Sequence, residues 1–254
     1  MQKDFIVVTP DSGNGDATVT VVASENIGNE RSSALNVAGG SMTRTISVSQ
    51  KEGSFDPSTA PNGVYIQHTS GRLYLRSKWN AAWNNEANGV AVKILGLCQY
   101  VIAPIEQTGL NWFDNGTFVD GIQTTDNINV AKVDFNGKQN TDRIVDQLGT
   151  DSNYAARYCQ SYTFKSGKQG YLGAVGEWFY ATLNKDEIDA CMALIGGLPL
   201  YNESTNNWAK WCSTQSSGSS TWRQNWKNIN DLTTVAKNPM GVTNYCARPF
   251  SSLI

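Results

Sequence analysis

The sequence predicts an α+β protein in which a small all-β module precedes a larger domain of mixed strands and helices. Short β-branched segments, separated by turns rich in Gly, Asn, Asp and Pro, fill residues 5–50. Apolar residues at helical spacing behind capping residues occur only beyond residue 139. Between these patterns, the stretch KEGSFDPSTAPN is typical of a linker. We therefore expect a β module over 1–52, a linker over 53–62 and a second domain over 63–254.

The composition narrows the class of protein. The 254 residues carry 20 Lys and Arg against 22 Asp and Glu, and this net charge of −2 gives no basis for a nucleic-acid partner. No run approaches the roughly 18 apolar residues of a membrane span, so we expect no membrane insertion. The N-terminus, MQKDFIVVTP, lacks the apolar centre of a signal peptide. Low charge with abundant Gly, Ser, Thr and Asn favours a loop-rich protein at the cell surface or outside the cell over a cytosolic enzyme. Virion proteins are among those that leave their cell without a signal peptide.

The first module contains four strand candidates that alternate with turn signals. They lie at 5–9, 18–22, 33–37 and 43–49, a spacing that predicts a small antiparallel sandwich. The stretch VTPDSGNGDATVTVV and the terminal RTISVSQ resemble the second half of a bacterial Ig-like module of the BACON type. The resemblance implies a partial Ig-like β-sandwich, and a neighbouring chain or upstream sequence would supply its missing edge.

The second domain begins with strands and continues with helices. Strand candidates occupy 63–66, 73–75, 89–94 and 100–103, and residues 106–138 read as long loops anchored by Trp112 and Phe113. Asn140 or Thr141 is expected to cap one helix and Ser152 another. A third helix follows Asn184, which forms a capping-box pattern with Glu187; its apolar stripe consists of Ile188, Cys191, Met192 and Ile195, and Gly196-Gly197 ends it.

The C-terminal stretch 201–250 has an unusual composition. Four of the eight tryptophans fall between Trp208 and Trp226, and eleven of the eighteen residues from Ser204 to Thr221 are Ser, Thr or Asn. Rigid aromatic side chains among small polar ones are typical of recognition surfaces. We therefore predict that this stretch displays a binding surface and that the remaining chain holds it in place.

A resemblance supports this prediction. The segment GYLGAVGEWFYATLNKDEIDACMALIGG, followed by KWCSTQ, TWRQNW and YCARPF, resembles the C-type-lectin-fold domains of Bacteroidetes surface proteins and phage variable proteins. It implies a C-type lectin fold from about Gly63 to the end, with two or three helices around a small twisted antiparallel sheet. This chain departs from the family pattern at residues 173–175, at Cys212 and at residues 244–247. In several phage relatives, a diversity-generating retroelement makes the C-terminal segment hypervariable.

The resemblance also separates framework positions from displayed ones. The framework positions are Trp211, Thr214, Trp222, Asn225, Trp226, Arg248 and Phe250. Strand alternation also puts Trp222 and Trp226 on one face, which is expected in the core, and Arg223 and Lys227 on the other face, together with Asn225. The predicted ligand-binding residues are Trp208, Lys210, Ser216, Ser217, Ser219, Arg223, Lys227, Ile229, Asp231, Thr233, Thr234, Met240 and Val242.

Nothing in the sequence indicates catalysis. No nucleophile motif lies near His68, the single histidine, so we predict no catalytic residue. The acidic run at 186–189 fits the first turn of a helix. The loop carboxylates could offer oxygen ligands to Ca²⁺, but their spacing is not that of an EF-hand, so neither a metal nor a cofactor is predicted; these carboxylates are Asp114, Asp120, Asp126 and Asp134.

The five cysteines form no CxxC pair, which argues against a zinc site. Cys159 and Cys191 lie on apolar helical faces and are expected in the core. Cys212 and Cys246, near the two ends of the C-terminal stretch, could meet in space.

Together these patterns favour a non-catalytic binding protein, such as a phage tail-fibre tip or a displayed adhesin that contacts a bacterial surface protein or glycan. A homotrimer would suit a fibre tip. Two alternatives stay open: a relative of the formylglycine-generating oxidases that uses Cys212 and Cys246, and a structural subunit of a virion or pilus tip.

Overall fold

A computed structural model describes residues 2–16, 18–24, 26, 30–51, 53–114, 116–151, 153–201, 209–226, 231–238 and 245–253. The chain divides into two compact units, Met1–Phe55 and Asp56–Ile254. The architecture is mixed α/β, with several sheets and few helices, and it begins with a small β module.

The N-terminal unit contains two small sheets. Its strands are β1 (Gln2–Lys3), β2 (Ile6–Thr9), β3 (Thr20–Ala23), β4 (Arg31–Gly39) and β5 (Met42–Gln50). The first three form an antiparallel sheet in the order β1-β2-β3, and β4 pairs with β5 in a hairpin. Phe5, Ile6, Val8 and Leu35 form a small buried core between them. The four predicted strands are confirmed.

The second unit contains eleven strands among its described residues. They are β6 (Gly63–His68), β7 (Leu73–Tyr74), β8 (Ala87–Ile94), β9 (Cys98–Ile102), β10 (Gln107–Thr108), β11 (Tyr171–Leu172), β12 (Ala209–Gln215), β13 (Ser220–Asn225), β14 (Asp231–Ala236), β15 (Tyr245–Ala247) and β16 (Pro249–Ser252). A six-stranded sheet has the order β11-β16-β9-β8-β6-β7, and a five-stranded sheet has the order β10-β15-β12-β13-β14. Paired strands in both sheets are antiparallel except β12 and β15, which run parallel. The resemblance implied one small sheet, whereas the described residues form two.

Helices lie mostly between these strands in sequence. The α-helices are α1 (Ile128–Ala131), α2 (Gly137–Leu148), α3 (Ala155–Ser161), α4 (Val175–Leu183) and α5 (Lys185–Leu194), and two 3₁₀ segments cover Arg76–Lys78 and Ala81–Glu86. None of the described helices is long and apolar enough to cross a membrane.

The predicted cap of α2 is wrong, and the predicted cap of α5 is correct in position but not in its hydrogen bond, since Asn184 directly precedes the helix without capping it. Helix α2 begins at Gly137, before Asn140 and Thr141, because both of these side chains are buried in tertiary hydrogen bonds. The Asn184 side chain does not cap α5; its amide donates to the Tyr180 carbonyl at the end of α4. The predicted end of α5 is confirmed, since Gly196 adopts the left-handed φ of 72° that closes a helix. Ser152 lies outside the described residues.

The core of the second unit has two parts, and the five-stranded sheet lies between them. Trp178, Phe250 and Tyr100 belong to the larger cluster, together with Trp222 and Trp226. The second cluster joins β12 and β15 to α2, α3 and the loop around Trp112. Cys159 and Cys191 are buried, as predicted, and all five cysteines are free thiols. Strands β12 and β15 are therefore packed on both faces.

Candidate ligand-binding surface

Buried side chains fix the C-terminal strands in place. All seven framework residues predicted from the resemblance are buried. The indole N–H groups of Trp211 and Trp222 donate to the carbonyls of Leu110 at 2.6 Å and Thr125 at 2.7 Å. The Trp112 indole donates in return to the Cys212 carbonyl at 2.8 Å. Each tryptophan therefore combines the burial of a large apolar ring with a hydrogen bond from its indole N–H, and so connects the sheet to the neighbouring loops.

Arg223, a predicted binding residue, lies on the opposite face of β13 from Trp222, as strand alternation requires. It is partly exposed, and its guanidinium donates to Thr233 Oγ1 at 3.2 Å and to the Tyr245 hydroxyl at 3.0 Å. The Tyr245 ring stacks on Trp211 with centroids 4.4 Å apart, and burial raises the pKa of Tyr245. We call Arg223, Thr233 and Tyr245 the arginine face: a cation held in a fixed position over a buried aromatic pair.

A second exposed group lies at the turn between β12 and β13, residues 216–220, which we call the serine turn. The Ser217 hydroxyl accepts the backbone N–H groups of Ser219 and Ser220 at 3.3 and 3.1 Å. The Ser219 carbonyl accepts the Lys237 N–H at 3.0 Å, while its side chain is exposed. Ser216 and Ser217 are partly exposed. The turn is therefore fixed by its own hydrogen bonds and presents small hydroxyl groups to solvent.

Phe118 lies beside the serine turn and was not predicted. Its side chain is 51% exposed, and a Cβ added to Gly218 would lie 3.9 Å from its Cβ. The residues on either side of it are tied down: the Thr117 carbonyl accepts the Lys237 ammonium, and the Val119 N–H donates to Gln215 Oε1 at 3.1 Å. Large exposed aromatic side chains on a fixed backbone are typical hot spots of binding surfaces. The sequence feature that could have indicated Phe118 is its position as an aromatic residue among the polar residues of the loop NGTFVDG.

Lys237 connects these loops. Its ammonium lies 4.4 Å from the centroid of the Trp112 ring and also donates to Gln215 Oε1. Burial lowers the pKa of Lys237 to about 8. A buried cation in contact with two loops at once restricts both of them, because moving either loop would leave the charge without partners.

The prediction for Lys210 is wrong. Its side chain is fully buried, and Nζ lies 2.6 Å from Glu106 Oε2. Arg248, also buried, lies 3.6 Å from the same oxygen. Loss of hydration lowers the pKa of Lys210, and the Glu106 carboxylate opposes this shift. The central position of β12 in its sheet turns this side chain into the protein, so Lys210 belongs to the framework.

Of the other predicted binding residues, Thr233 and Thr234 lie on different faces of β14, and the rest lie wholly or partly outside the described residues. Thr233 is partly exposed on the arginine face, whereas Thr234 is exposed on the opposite face of β14. Asp231 begins β14, but its side chain lies outside the described residues. Five further predicted residues lie outside the described ranges: Trp208, Lys227, Ile229, Met240 and Val242.

The groups considered for chemistry have structural partners. His68 contacts the Ser70 hydroxyl at 2.8 Å through Nδ1 and Glu86 at 2.7 Å through Nε2. This outline resembles a Ser-His-Glu triad, but the Ser70 N–H also donates to Nδ1 at 3.0 Å. The neighbouring N–H groups of Thr69 and Gly71 donate to the carbonyls of Glu86 and His68, so they are not available to stabilise an oxyanion.

Cys212 and Cys246 lie on neighbouring strands, and the pairing of Lys210 with Cys246 places them two residues out of register. Burial raises the pKa of Cys246 to about 11 and that of Cys212 well above its usual value. Such thiols lack the thiolate character of reactive cysteines. Among the described residues, no group of three His, Cys, Asp or Glu side chains could hold a metal ion.

Among the described carboxyl groups, Glu177 has the most strongly perturbed pKa. With Tyr171 it lines an open cleft of about 430 Å³. The Tyr171 hydroxyl donates to Oε1 at 2.7 Å, and the Ala174 N–H donates to Oε2 at 2.7 Å. Burial raises the pKa of Glu177 to about 8. Both oxygens hold together the start of α4, so this carboxyl group has a structural role.

Comparison with protein families identifies the first module. Residues 2–51 match the BACON family, which is described as "Putative binding domain, N-terminal". The N-terminal unit is thus a BACON module, as the resemblance predicted. Neither the curated proteins nor the solved structures contain a match to this chain.

Proposed function

We propose that this chain is a non-catalytic binding protein whose C-terminal stretch contacts a ligand on a bacterial surface. The observation that carries the proposal is the division of that stretch into buried framework and exposed polar side chains. Trp211, Trp222 and Trp226 are buried, whereas Arg223 on β13 is partly exposed and Ser219, in the turn before that strand, is exposed. Exposed residues of this kind can be exchanged without disturbing the core, which is the physical requirement for a variable recognition surface.

The chemistry of the surface suggests how it binds. The arginine face offers a cation with guanidinium donors, and the serine turn offers hydroxyl groups beside the apolar Phe118 ring. Aromatic and Arg anchors among small polar groups are the usual composition of high-affinity contact sites. Because their backbones are already fixed, binding would cost little conformational entropy.

The finer identity follows from the sequence resemblance. A C-type lectin fold would present these strands at one end of the domain, with the BACON module preceding it. We propose that the protein is a phage tail-fibre tip or a displayed adhesin, that its partner is a bacterial surface protein or glycan, and that its C-terminal segment is hypervariable. A template repeat near the gene that differs from it only at adenines would test retroelement diversification, and a complete search without such a repeat would count against it.

The binding experiment uses outer-membrane vesicles and extracted surface polysaccharides from a panel of Bacteroidetes strains, immobilised for biolayer interferometry. Wild-type protein is expected to bind at least one preparation, and protease or periodate treatment of the vesicles distinguishes a protein partner from a glycan. Arg223→Ala should weaken that binding about tenfold or more. Arg157→Ala is the matched control, since Arg157 is also partly exposed but lies on α3. Equal binding by both variants would contradict the proposed surface.

The two other functions predict different results. An oxidase that uses Cys212 and Cys246 would lose its activity in Cys212→Ser, whereas our proposal predicts unchanged vesicle binding. The burial of both thiols gives no support to the oxidase. If the C-terminal face were a subunit interface, Arg223→Ala would change the oligomeric state instead of vesicle binding.

A further inference from the structure

The core of the BACON module is open along strand β3. Val21 pairs with the buried Val8 across the sheet and so shares its core-facing side, yet Val21 is 41% exposed. All four residues of β3 are exposed. Among the described residues of the module, four form the buried core, with Val48 partly buried against them. The described part of this core is therefore small, and β3 is its exposed side.

Strand β3 is also an edge that lacks the usual protection against pairing. It is the last strand of its sheet, and residues 18–24, TVTVVAS, contain no charge, no Pro and no Gly. Natural edge strands are normally blocked by charged residues, Pro or bulges. Among the described residues, none forms a hydrogen bond to the outer edge at Val21 or Ala23. At the far end, the Ser24 carbonyl is already occupied by Arg31 at 2.6 Å and Gln50 at 2.9 Å.

The hydrogen-bond alternation identifies which groups face outward. The Ser24 N–H donates to the Phe5 carbonyl, so Ser24 and, two residues earlier, Val22 direct their backbone groups toward β2. Val21 and Ala23, between them, therefore direct their N–H and C=O groups to the free edge. An added antiparallel strand would bond to these residues.

We propose that this edge pairs with the same edge of a second copy of the chain, antiparallel about a two-fold axis at Val21. The edge is self-complementary, because residues 18–24 carry no charges that would oppose each other across the axis. In this register Val21 faces Val21 of the second copy as a hydrogen-bonded pair, and Ala23 faces Val19. The 50%-exposed Val19 and the 41%-exposed Val21 would then extend the apolar side of the sheet across the axis.

The size of the contact sets its strength. One short strand pair lies at the small end of protein interfaces, so the dimer is reversible and weak. Sedimentation equilibrium of the full chain is therefore measured over roughly 5–500 µM. The average mass should rise from that of the 27.7 kDa monomer toward twice that value. Val21→Lys places two like charges at the axis and should abolish the rise, whereas Val37→Lys, a matched control on the hairpin, should not.

A cross-link tests the register directly. Opposed residues of a hydrogen-bonded antiparallel pair have Cα atoms about 5.5 Å apart, which is within the span of a disulfide. Val21→Cys should therefore form a covalent dimer with oxidised glutathione, and the buried native cysteines should not interfere. Val22→Cys is the control, because the register places it opposite Thr20 and not opposite itself. Circular dichroism confirms that each variant is folded.

Dimer formation that depends on Val21 in both experiments supports the proposal. A monomer at every concentration would overturn it. So would association that survives Val21→Lys, or cross-linking of Val22→Cys at the rate of Val21→Cys, since either result places the contact elsewhere.

Discussion

Substitution of Lys210 distinguishes a framework residue from a ligand contact. In the structure, Nζ of Lys210 lies 2.6 Å from Glu106, and the two side chains are 0% and 2% exposed. Lys210→Met keeps the length of the side chain but removes the cation at 2.6 Å from the Glu106 carboxylate, while Arg248 stays 3.6 Å from it. Breaking a buried ion pair on one side typically costs about 3–5 kcal/mol. Because Arg248 compensates in part, we expect Lys210→Met to lower the free energy of unfolding by about 3 kcal/mol, the lower end of that range.

The assay is urea denaturation followed by tryptophan fluorescence, with Lys210→Met, Glu106→Gln and the double variant forming a cycle. The double variant should recover part of the lost stability, because it removes both charges of the Lys210–Glu106 pair, but Arg248 then loses its contact with the Glu106 carboxylate. If Lys210→Met unfolded at the wild-type urea concentration and lost vesicle binding, Lys210 would be a displayed residue and its burial would be incorrect.

Three further predictions concern the framework. Since the pKa of Glu177 is raised from 4.5 to about 8 on folding, the folded state binds the extra proton and stability falls as pH rises between these values; thermal melts should show a smaller fall in Glu177→Gln. Gly89 has a φ of 155°, and a Cβ there would meet the Ile102 carbonyl, so Gly89→Ala should cost about 3 kcal/mol in urea denaturation; wild-type stability would contradict this packing. Lys237→Met should speed hydrogen exchange at residues 112–119, and unchanged exchange would show that Lys237 does not restrain this loop.

Local patterns in the sequence predicted the strands of the first module and the first strands of the second domain. Within β13, alternation put Trp222 and Arg223 on opposite faces, because a strand gives its two faces different surroundings. The end of α5 followed from Gly196, whose left-handed backbone is a local property. The start of α2 did not follow, since Asn140 has the composition of a cap but is held by Asp134 at 2.9 Å.

The candidate surface was predicted less completely, because it depends on contacts distant in sequence. Lys210 is polar and lies in a polar stretch, but its partner Glu106 is 104 residues away. No local pattern can show that such a pair will be buried. The position of Phe118 likewise depends on Lys237 and Gln215, which only the folded chain brings to its loop.

The most direct test of the binding surface compares Arg223→Ala and Phe118→Ala with wild-type protein on the same outer-membrane vesicles. Both variants should bind about tenfold more weakly or worse, while thermal melting changes little, because the two side chains are exposed in whole or part. Wild-type affinity in both variants on vesicles that the wild-type protein binds would contradict the account. So would a loss of binding that follows from unfolding.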